Sequence, residues 1–333
     1  MGFEAQDIER KVISILRILS DSAKPLGSRV IAMRLPGYGI ELGERAVRYH
    51  LKLMDERGLT NLIGQRDGRV LTERGIEELN SALVKNKVGL AISRIELLAF
   101  RTDFDLEKRT GSVPVNISIF SRREFSKALQ IMKTVFNAGF CISDLVAVAQ
   151  EGEMLGETIV PRNKVGLATV CSIVINGTLL KMGIPMDSKF SGILQFRNSS
   201  PLRFVELINY AGCSLDASEV FIRAKMTSVL QTISEGNGRI LATYREIPAL
   251  CRPLVLETLE RLKEAGLEGV LAIGGNSETV YEIPVEPNRC GMVVINGLNP
   301  VAAVAERGIE VENHGMSSVI EYQKLEKFAK FAG

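Results

Sequence analysis

Two sixteen-residue runs without a single charge, 165–180 and 290–305, lie 125 positions apart and superpose end to end. At the same offset Lys164 meets Arg289, Gly166 meets Gly291, Gly183 meets Gly308 and Ile184 meets Ile309. Self-similarity at a fixed spacing marks a duplicated structural unit, and it restricts the fold more than composition does. Each run reads as an apolar strand (167–170; 292–295), a small polar junction, then a helix ending in glycine. The junctions are Cys171-Ser172 and Asn296-Gly297-Leu298-Asn299-Pro300. Upstream, a strand (115–120; 240–244) leads into an amphipathic helix (122–138; 250–265) and a second apolar strand (145–149; 270–273). Downstream, each half ends in a strand-like segment (192–197; 318–323).

The order strand, helix, strand, strand, helix, strand, with room for an added hairpin, is compatible with a split βαβ sandwich of ferredoxin type. The first repeat covers about 113–198 and the second about 236–325. The linker between them, 199–235, is expected to carry helices over 204–210 and 216–226, and residues 86–112 lead into the first half. Residues 86–333 thus form one α/β (α+β) domain of two pseudo-symmetric halves. The cleft between such halves is a frequent seat for a small ligand.

Neither charge-free run reaches the ~18 apolar residues of a membrane span, and both contain Asn and Gly. Glu4, Asp7 and Glu9 stand at the start with no apolar leader before them, which is not a secretory signal. A soluble cytoplasmic protein is expected, with no membrane partner. With no Trp and 6% aromatic residues, its core must be mostly aliphatic. The five cysteines stand singly and only two histidines are present, so neither a zinc site nor a disulfide framework is expected. Each cysteine reads first as a small buried hydrophobe.

Residues 1–85 form a domain of another kind. Ile8, Val12, Ile15, Leu16 and Leu19 share one face of a helix over 7–20, with Asp7 placed to cap it. A short helix follows over 28–35. A third runs from about 43 to 57 and ends at Gly58, with Ala46, Val47, Leu51 and Met54 (or Leu53) inward. Two strand-like segments, 59–63 and 70–71, flank an Asp67-Gly68 hairpin signal, and Thr72 caps a last helix from 73 to about 83. Helix, helix, helix, hairpin, helix is a winged helix-turn-helix. Glu44 to Leu51 followed by Asp55-Glu56-Arg57-Gly58-Leu59 resembles the recognition-helix-into-wing pattern of archaeal and bacterial repressors.

Residues 1–85 hold 14 Lys and Arg against 12 Asp and Glu, while the other 248 hold 27 of each. The whole net charge of +2 therefore falls in the first quarter. A helix fits the major groove of double-stranded DNA, with its N-terminal half at the base edges. Arg45, Arg48, Tyr49 and Lys52 lie on the outward face of the third helix, and Arg66 and Arg69 at the hairpin tip are placed to reach phosphates or a minor groove. The competing reading is a winged helix that makes only protein contacts, its arginines a solvated face. His50 is weak support either way. Gly43 stands where Ser or Thr commonly caps such a helix.

The second region is similar to the effector domain of the NrpR family, archaeal repressors of nitrogen regulation. The stretches that carry the resemblance are Thr169 to Gly177, Gly212-Cys213-Ser214-Leu215-Asp216, Gly236-Asn237-Gly238-Arg239-Ile240, Gly291 to Pro300, and His314-Gly315-Met316-Ser317-Ser318. With the winged helix in front, it covers essentially the whole chain. It implies a repressor of nitrogen-assimilation genes, held on operator DNA and released by 2-oxoglutarate, with no further cofactor. Family members carry one or two effector domains and this chain carries one. The expected assembly is a homodimer or higher oligomer, or a complex with a second NrpR-type protein.

A dianion needs N–H donors, amides or hydroxyls, and cations. Helix N-termini supply free N–H groups and a positive dipole end. The two junctions offer this twice. Cys171 and Ser172 open one helix, Asn299 is placed to cap the other, Asn296 adds an amide, and Lys164 and Lys181 are nearby charges. On the residues alone, an anion site and a plain structural turn stand level; the resemblance favours the site, and favours Cys171 as a pocket residue. Two other classes remain open here. One is an enzyme using Cys171 or His314 with an appended DNA-binding domain. The other is a winged-helix scaffold for another regulator. Gly274-Gly275-Asn276-Ser277 follows an apolar strand but lacks the P-loop and dinucleotide patterns, so it reads as a tight turn.

Overall fold

The computed structural model describes residues 3–22, 24–38, 40–64, 68–81 and 90–332. The chain divides into two compact units, Met1–Val88 and Gly89–Gly333. In the first, α1 (Phe3–Ser20) is followed by α2 (Ser28–Arg34), a 3-10 turn, α3 (Glu44–Glu56), strands β1 (Thr60–Gly64) and β2 (Gly68–Leu71), and α4 (Glu73–Ser81). The core is aliphatic: Val12, Ile15, Leu16 and Leu19 of α1 meet Ile31, Leu35, Val47, Leu51 and Met54. α1 begins four residues earlier than expected, so position 7 lies inside the helix and not at its start, and Ile8 is 45% exposed. The antiparallel β1–β2 wing gains a third rung where Leu26 and Arg69 exchange both backbone hydrogen bonds. Thr72 caps α4 as expected, its Oγ1 accepting from the Gly75 amide at 3.0 Å and donating to the Gly58 carbonyl at 2.7 Å. The hairpin tip, including Arg66 and Asp67, lies outside the described residues.

The second unit opens with α5 (Leu90–Arg101). Its first half comprises β3 (Ser112–Ser121), α6 (Phe125–Asn137), β4 (Leu145–Gln150), a small hairpin β5–β6 (Met154–Leu155, Thr158–Ile159), β7 (Lys164–Val170), α7 (Ile173–Lys181) and β8 (Asp187–Arg197). The linker holds β9 (Ser200–Asn209), α8 (Ala217–Arg223) and α9 (Val229–Glu235). The second half repeats the order: β10 (Gly238–Pro248), α10 (Arg252–Glu264), β11 (Val270–Ile273), β12 (Arg289–Ile295), α11 (Asn299–Glu306), β13 (Val311–Glu321), with a short β14 (Glu326–Lys327) after it.

The expected split βαβ order is present in both halves, but the halves do not close on themselves. The sheets run β13-β3-β7-β4-β14 and β11-β12-β10-β8-β9, antiparallel throughout. In each, the first, third and second strands of one half are completed by the fourth strand of the other. β8 crosses to pair with β10, and β13 returns to pair with β3. Helices follow their strands. α6 and α11, one from each half, pack together in one apolar cluster with residues of both sheets. α7 and α10 share a second cluster with Val115, Ile117, Met292 and Val294. The charge-free runs are thus buried strand and helix, which is why they carry no charge.

One linker expectation is wrong. Residues 204–210 are not a helix but the second arm of the β8–β9 hairpin, turned at Asn198 and Ser199 (φ 52° and 60°). Positive φ at both central residues is the type I′ signature. Register shifts after Ile193 and after Gln195 break the period-two alternation, leaving Phe204, Val205, Leu207 and Ile208 at helix-like spacing. The helix near 216–226 is α8, capped by Asp216, whose Oδ1 accepts from the Ser218 amide at 2.6 Å.

Candidate functional site

On the winged unit, α3 buries Val47, His50, Leu51 and Met54 and turns Arg45, Arg48, Tyr49 and Lys52 outward, Tyr49 with 63% of its surface exposed. Arg48 is held along the helix by Glu44 (2.8 Å), and Lys52 lies 4.0 Å from Glu56. Exposed i,i+4 pairs of this kind are worth only ~0.3–0.5 kcal/mol, so they hold the two side chains only weakly. Gly43 makes no side-chain cap hydrogen bond at the helix start. Arg69 departs from expectation. Its Nε binds Asp55 at 2.8 Å, and its side chain is only 16% exposed. It ties the wing to the end of α3 and is not free for a phosphate.

In the second unit the two junctions meet. A Cβ built on Gly297 would collide with the Val170 carbonyl oxygen and lie 2.9 Å from Asn116 Nδ2, so only glycine permits this approach. Cys171 and Ser172 open α7 as expected, yet both are buried. Burial pushes the Cys171 thiol up to about 11. A group the sequence reading passed over lies against them. Arg245 of β10 is 3% exposed; its Nη2 donates to Ser172 Oγ at 2.6 Å and its Nη1 to the Ser172 carbonyl at 3.0 Å. Its Nε finds no acceptor and no carboxylate lies within ion-pair distance among the described residues. Desolvation works against its charge, holding its pKa below the usual value. An arginine nonetheless stays protonated, and a buried cation without a counter-ion is costly.

Neighbouring elements bury further polar groups. Asn296 donates to Ser218 Oγ (2.7 Å), which lies 3.4 Å from Ser191 Oγ. Tyr210 is buried, its pKa raised by desolvation and by the charge of Asp216. Asp216 and Glu219 brace a bulge in β13: Glu219 accepts from the Gly315 amide at 2.7 Å, and a Cβ on Gly315 would collide with Asp216 Oδ2. Desolvation first, then the neighbouring Asp216 charge, pushes Glu219 up to about 7.

Other expected site residues lie elsewhere. Lys164 begins β7, seven residues and about 23 Å before Cys171 at ~3.3 Å per residue. Lys181 ends α7, about 12 Å from its start at ~1.5 Å per residue, donating to the Phe100 carbonyl (3.0 Å) over that ring. Asn299 is fully buried at the first position of α11 and caps nothing. Its amide holds the Leu241 N–H (2.8 Å) and C=O (2.9 Å) and so pins α11 to β10. The glycine loop after β11 is filled by its own Glu278 carboxylate, which accepts from the Gly275 amide at 2.6 Å. His314 is bonded to Glu312, not to Cys171. In the sequence Arg245 and Glu246 stand together inside the otherwise uncharged stretch 240–247, and Arg245 is not among the expected site residues.

A helix-turn-helix with a wing, followed by a duplicated α/β unit, has the layout of a transcriptional regulator with a separate regulatory part. A family model described as NrpR regulatory domains NRD1 and 2 matches residues 88–327, and one described as the Ribonuclease R winged-helix domain matches residues 13–79. The chain is 40% identical to the Global nitrogen regulator NrpRI of Methanosarcina mazei over 96% of this chain and 98% of that one. It is 34% identical to the Global nitrogen regulator NrpR of Methanocaldococcus jannaschii, over 97% of this chain, but spans only 56% of that protein's length. The corresponding Methanococcus maripaludis protein is 31% identical, and the chain spans 55% of it. A crystal structure of a nitrogen repressor-like protein from Methanococcus jannaschii superposes with a TM-score of 0.61 at 26% identity, covering 72% of this chain and 98% of its own. The chain belongs to the NrpR family. The matched domains are regulatory, so the enzyme reading falls. Among the described residues no helix is long and apolar enough to cross a membrane.

Proposed function

We propose that the chain is a repressor of nitrogen-assimilation genes that binds double-stranded operator DNA through α3 and the wing and is released by 2-oxoglutarate. The observation that carries the ligand half of this reading is Arg245. It is a buried cation lacking a counter-ion, contributed by one half of the duplication and held by Ser172 of the other. A carboxylate of the ligand supplies the missing charge, and the amides at the start of α7 add donors. Cys171, Asn296 and Ser218 complete the polar wall. Because the site is shared by both halves, ligand binding biases their packing. The same bias, transmitted through a homodimer or an assembly with a second NrpR-type protein, unmatches paired winged helices from their half-sites. On the DNA side, Arg45, Arg48, Tyr49 and Lys52 carry base and backbone contacts, Arg66 a phosphate contact, and Arg69 positions the wing.

A mobility-shift titration on the protein's own upstream DNA tests this. Coupling of ~1–3 kcal/mol lowers DNA affinity roughly 5–150-fold in saturating 2-oxoglutarate. Cys171→Leu is expected to bind DNA normally and ignore the metabolite. A wild-type complex indifferent to millimolar 2-oxoglutarate overturns the ligand assignment. A protein that binds no DNA in any condition restores the scaffold reading.

A further inference from the structure

A concave site lies at the far end of β10 from Arg245. It is a groove of about 590 Å³ formed where the β8–β9 hairpin faces the α8–α9 connection and the start of β10. Four cations converge on it from four separate segments: Arg197, Arg203, Lys225 and Arg239. None of its thirteen lining residues is acidic, although the region outside residues 1–85 carries equal numbers of acids and bases. Arg197, Lys225 and Arg239 have no ion-pair partner among the described residues, and Arg203 has only a 3.9 Å approach to Glu282. A uniform sign on a concave wall focuses potential and draws in counter-ions. Lys225 sits at φ 54°, just past the end of α8, where glycine is the relaxed choice. The strain places a fourth charge on the wall where a glycine would leave none. Gln231 and Asn237 add amides, and Phe196, Leu202 and Met226 add apolar surface.

We infer that this groove binds a phosphate-bearing anion of nucleotide size. Three guanidiniums match oxyanions in bidentate fashion. The volume exceeds what one phosphate fills and lies in the range of small-ligand pockets. The ligand is either a free nucleotide or the phosphate backbone of a nucleic acid strand; the chemistry is the same. The groove is independent of the 2-oxoglutarate site, because β10 separates Arg239 from Arg245 by six residues, about 20 Å at ~3.3 Å per residue.

The test is calorimetry of the full chain with ATP, with inorganic pyrophosphate and with a duplex of unrelated sequence, at low and high salt, for wild type and for the double variant Arg197→Gln/Arg239→Gln. Both side chains are exposed, so folding is expected to survive, and thermal melting verifies it. The expected result is salt-sensitive binding of at least one probe, weakened at least tenfold in the double variant, with 2-oxoglutarate binding unchanged. ATP binding assigns the free nucleotide; weakened duplex binding alone assigns the backbone. The inference fails if no probe binds, or if the variant binds all probes as wild type does. It also fails if the variant loses 2-oxoglutarate, because the groove would then be the effector site itself. Failure of 2-oxoglutarate to bind wild type, with ATP still bound, sinks only the earlier reading.

Discussion

The two halves of the regulatory unit share a fold but not a chemistry. Register shows it: Arg245 lies opposite Ser188 of β8, and Ser118 lies opposite Asn313 of β13, where 188 and 313 are 125 apart. Arg245 and Ser118 are therefore structural counterparts. In one half a guanidinium grips Ser172; in the other Ser118 donates to Asn313 at 2.8 Å, and Gly297 stands at the position matching Ser172. Asn299, across from this, is consumed by Leu241. Duplication supplied two equivalent seats. One retains a charge in want of a partner, and the other is closed by internal hydrogen bonds. On the proposed reading, the pseudo-two-fold scaffold seats one ligand per chain at this level, not two.

The largest effect that bears on this comparison comes from making the halves alike. Ser118→Arg places a second cation in a seat lined for neutral groups. It is expected to destabilise by ~3–5 kcal/mol, as uncompensated buried charges do. A denaturation midpoint close to wild type shows that the second seat is still open to an anion. Making the halves alike in the other direction is milder. Arg245→Met removes the charge while keeping the volume. Stability should hold or rise, and the whole 2-oxoglutarate response, ~1–3 kcal/mol of coupling, should vanish in the mobility shift. A retained response moves the site elsewhere in the unit.

The smallest expected effect concerns the carboxyl pair that braces the β13 bulge. Glu219 is raised to about 7, so the folded protein holds its proton more tightly than the unfolded chain does. Its contribution is most favourable below the unfolded-state value near ~4.3 and is lost as pH rises toward 7. Glu219→Gln keeps an oxygen to accept the Gly315 amide. It should melt higher than wild type at pH 8, by the equivalent of ~1–2 kcal/mol, and match it at pH 4.5. Parallel melting curves at the two pH values remove Glu219 from the account.

Much of this was legible in the chain. The third helix and wing read correctly because Val47, Leu51 and Met54 recur at helical spacing between two glycine stops. The duplication read correctly because buried strand-helix units tolerate no charge. Three features did not read. Exchange of the last strands leaves no local trace, since β8 and β13 alternate the same way whichever sheet they join. β9 was hidden by its bulges. Arg245 was hidden by a two-residue slip: the 125-residue offset aligns it with Phe120, whereas the strand register pairs it with Ser118. Alternation fixes which face a residue takes, but a two-residue slip and the choice of partner strand leave that alternation unchanged.

The exchange of last strands also governs the order in which such a chain acquires its structure. β3 must wait for β13, and the hydrogen bond from Ser118 to Asn313 closes a separation of 195 residues. A nascent chain emerging N-terminus first has β3, β7 and β4 in hand while one edge of β3 stays vacant until nearly the whole second half has been synthesised. Closing so long a loop late makes for slow folding. An open edge in the meantime invites pairing with another chain. Two nascent copies could each offer the strand the other lacks, so the step most exposed to misassembly is also a route by which neighbouring chains become entwined.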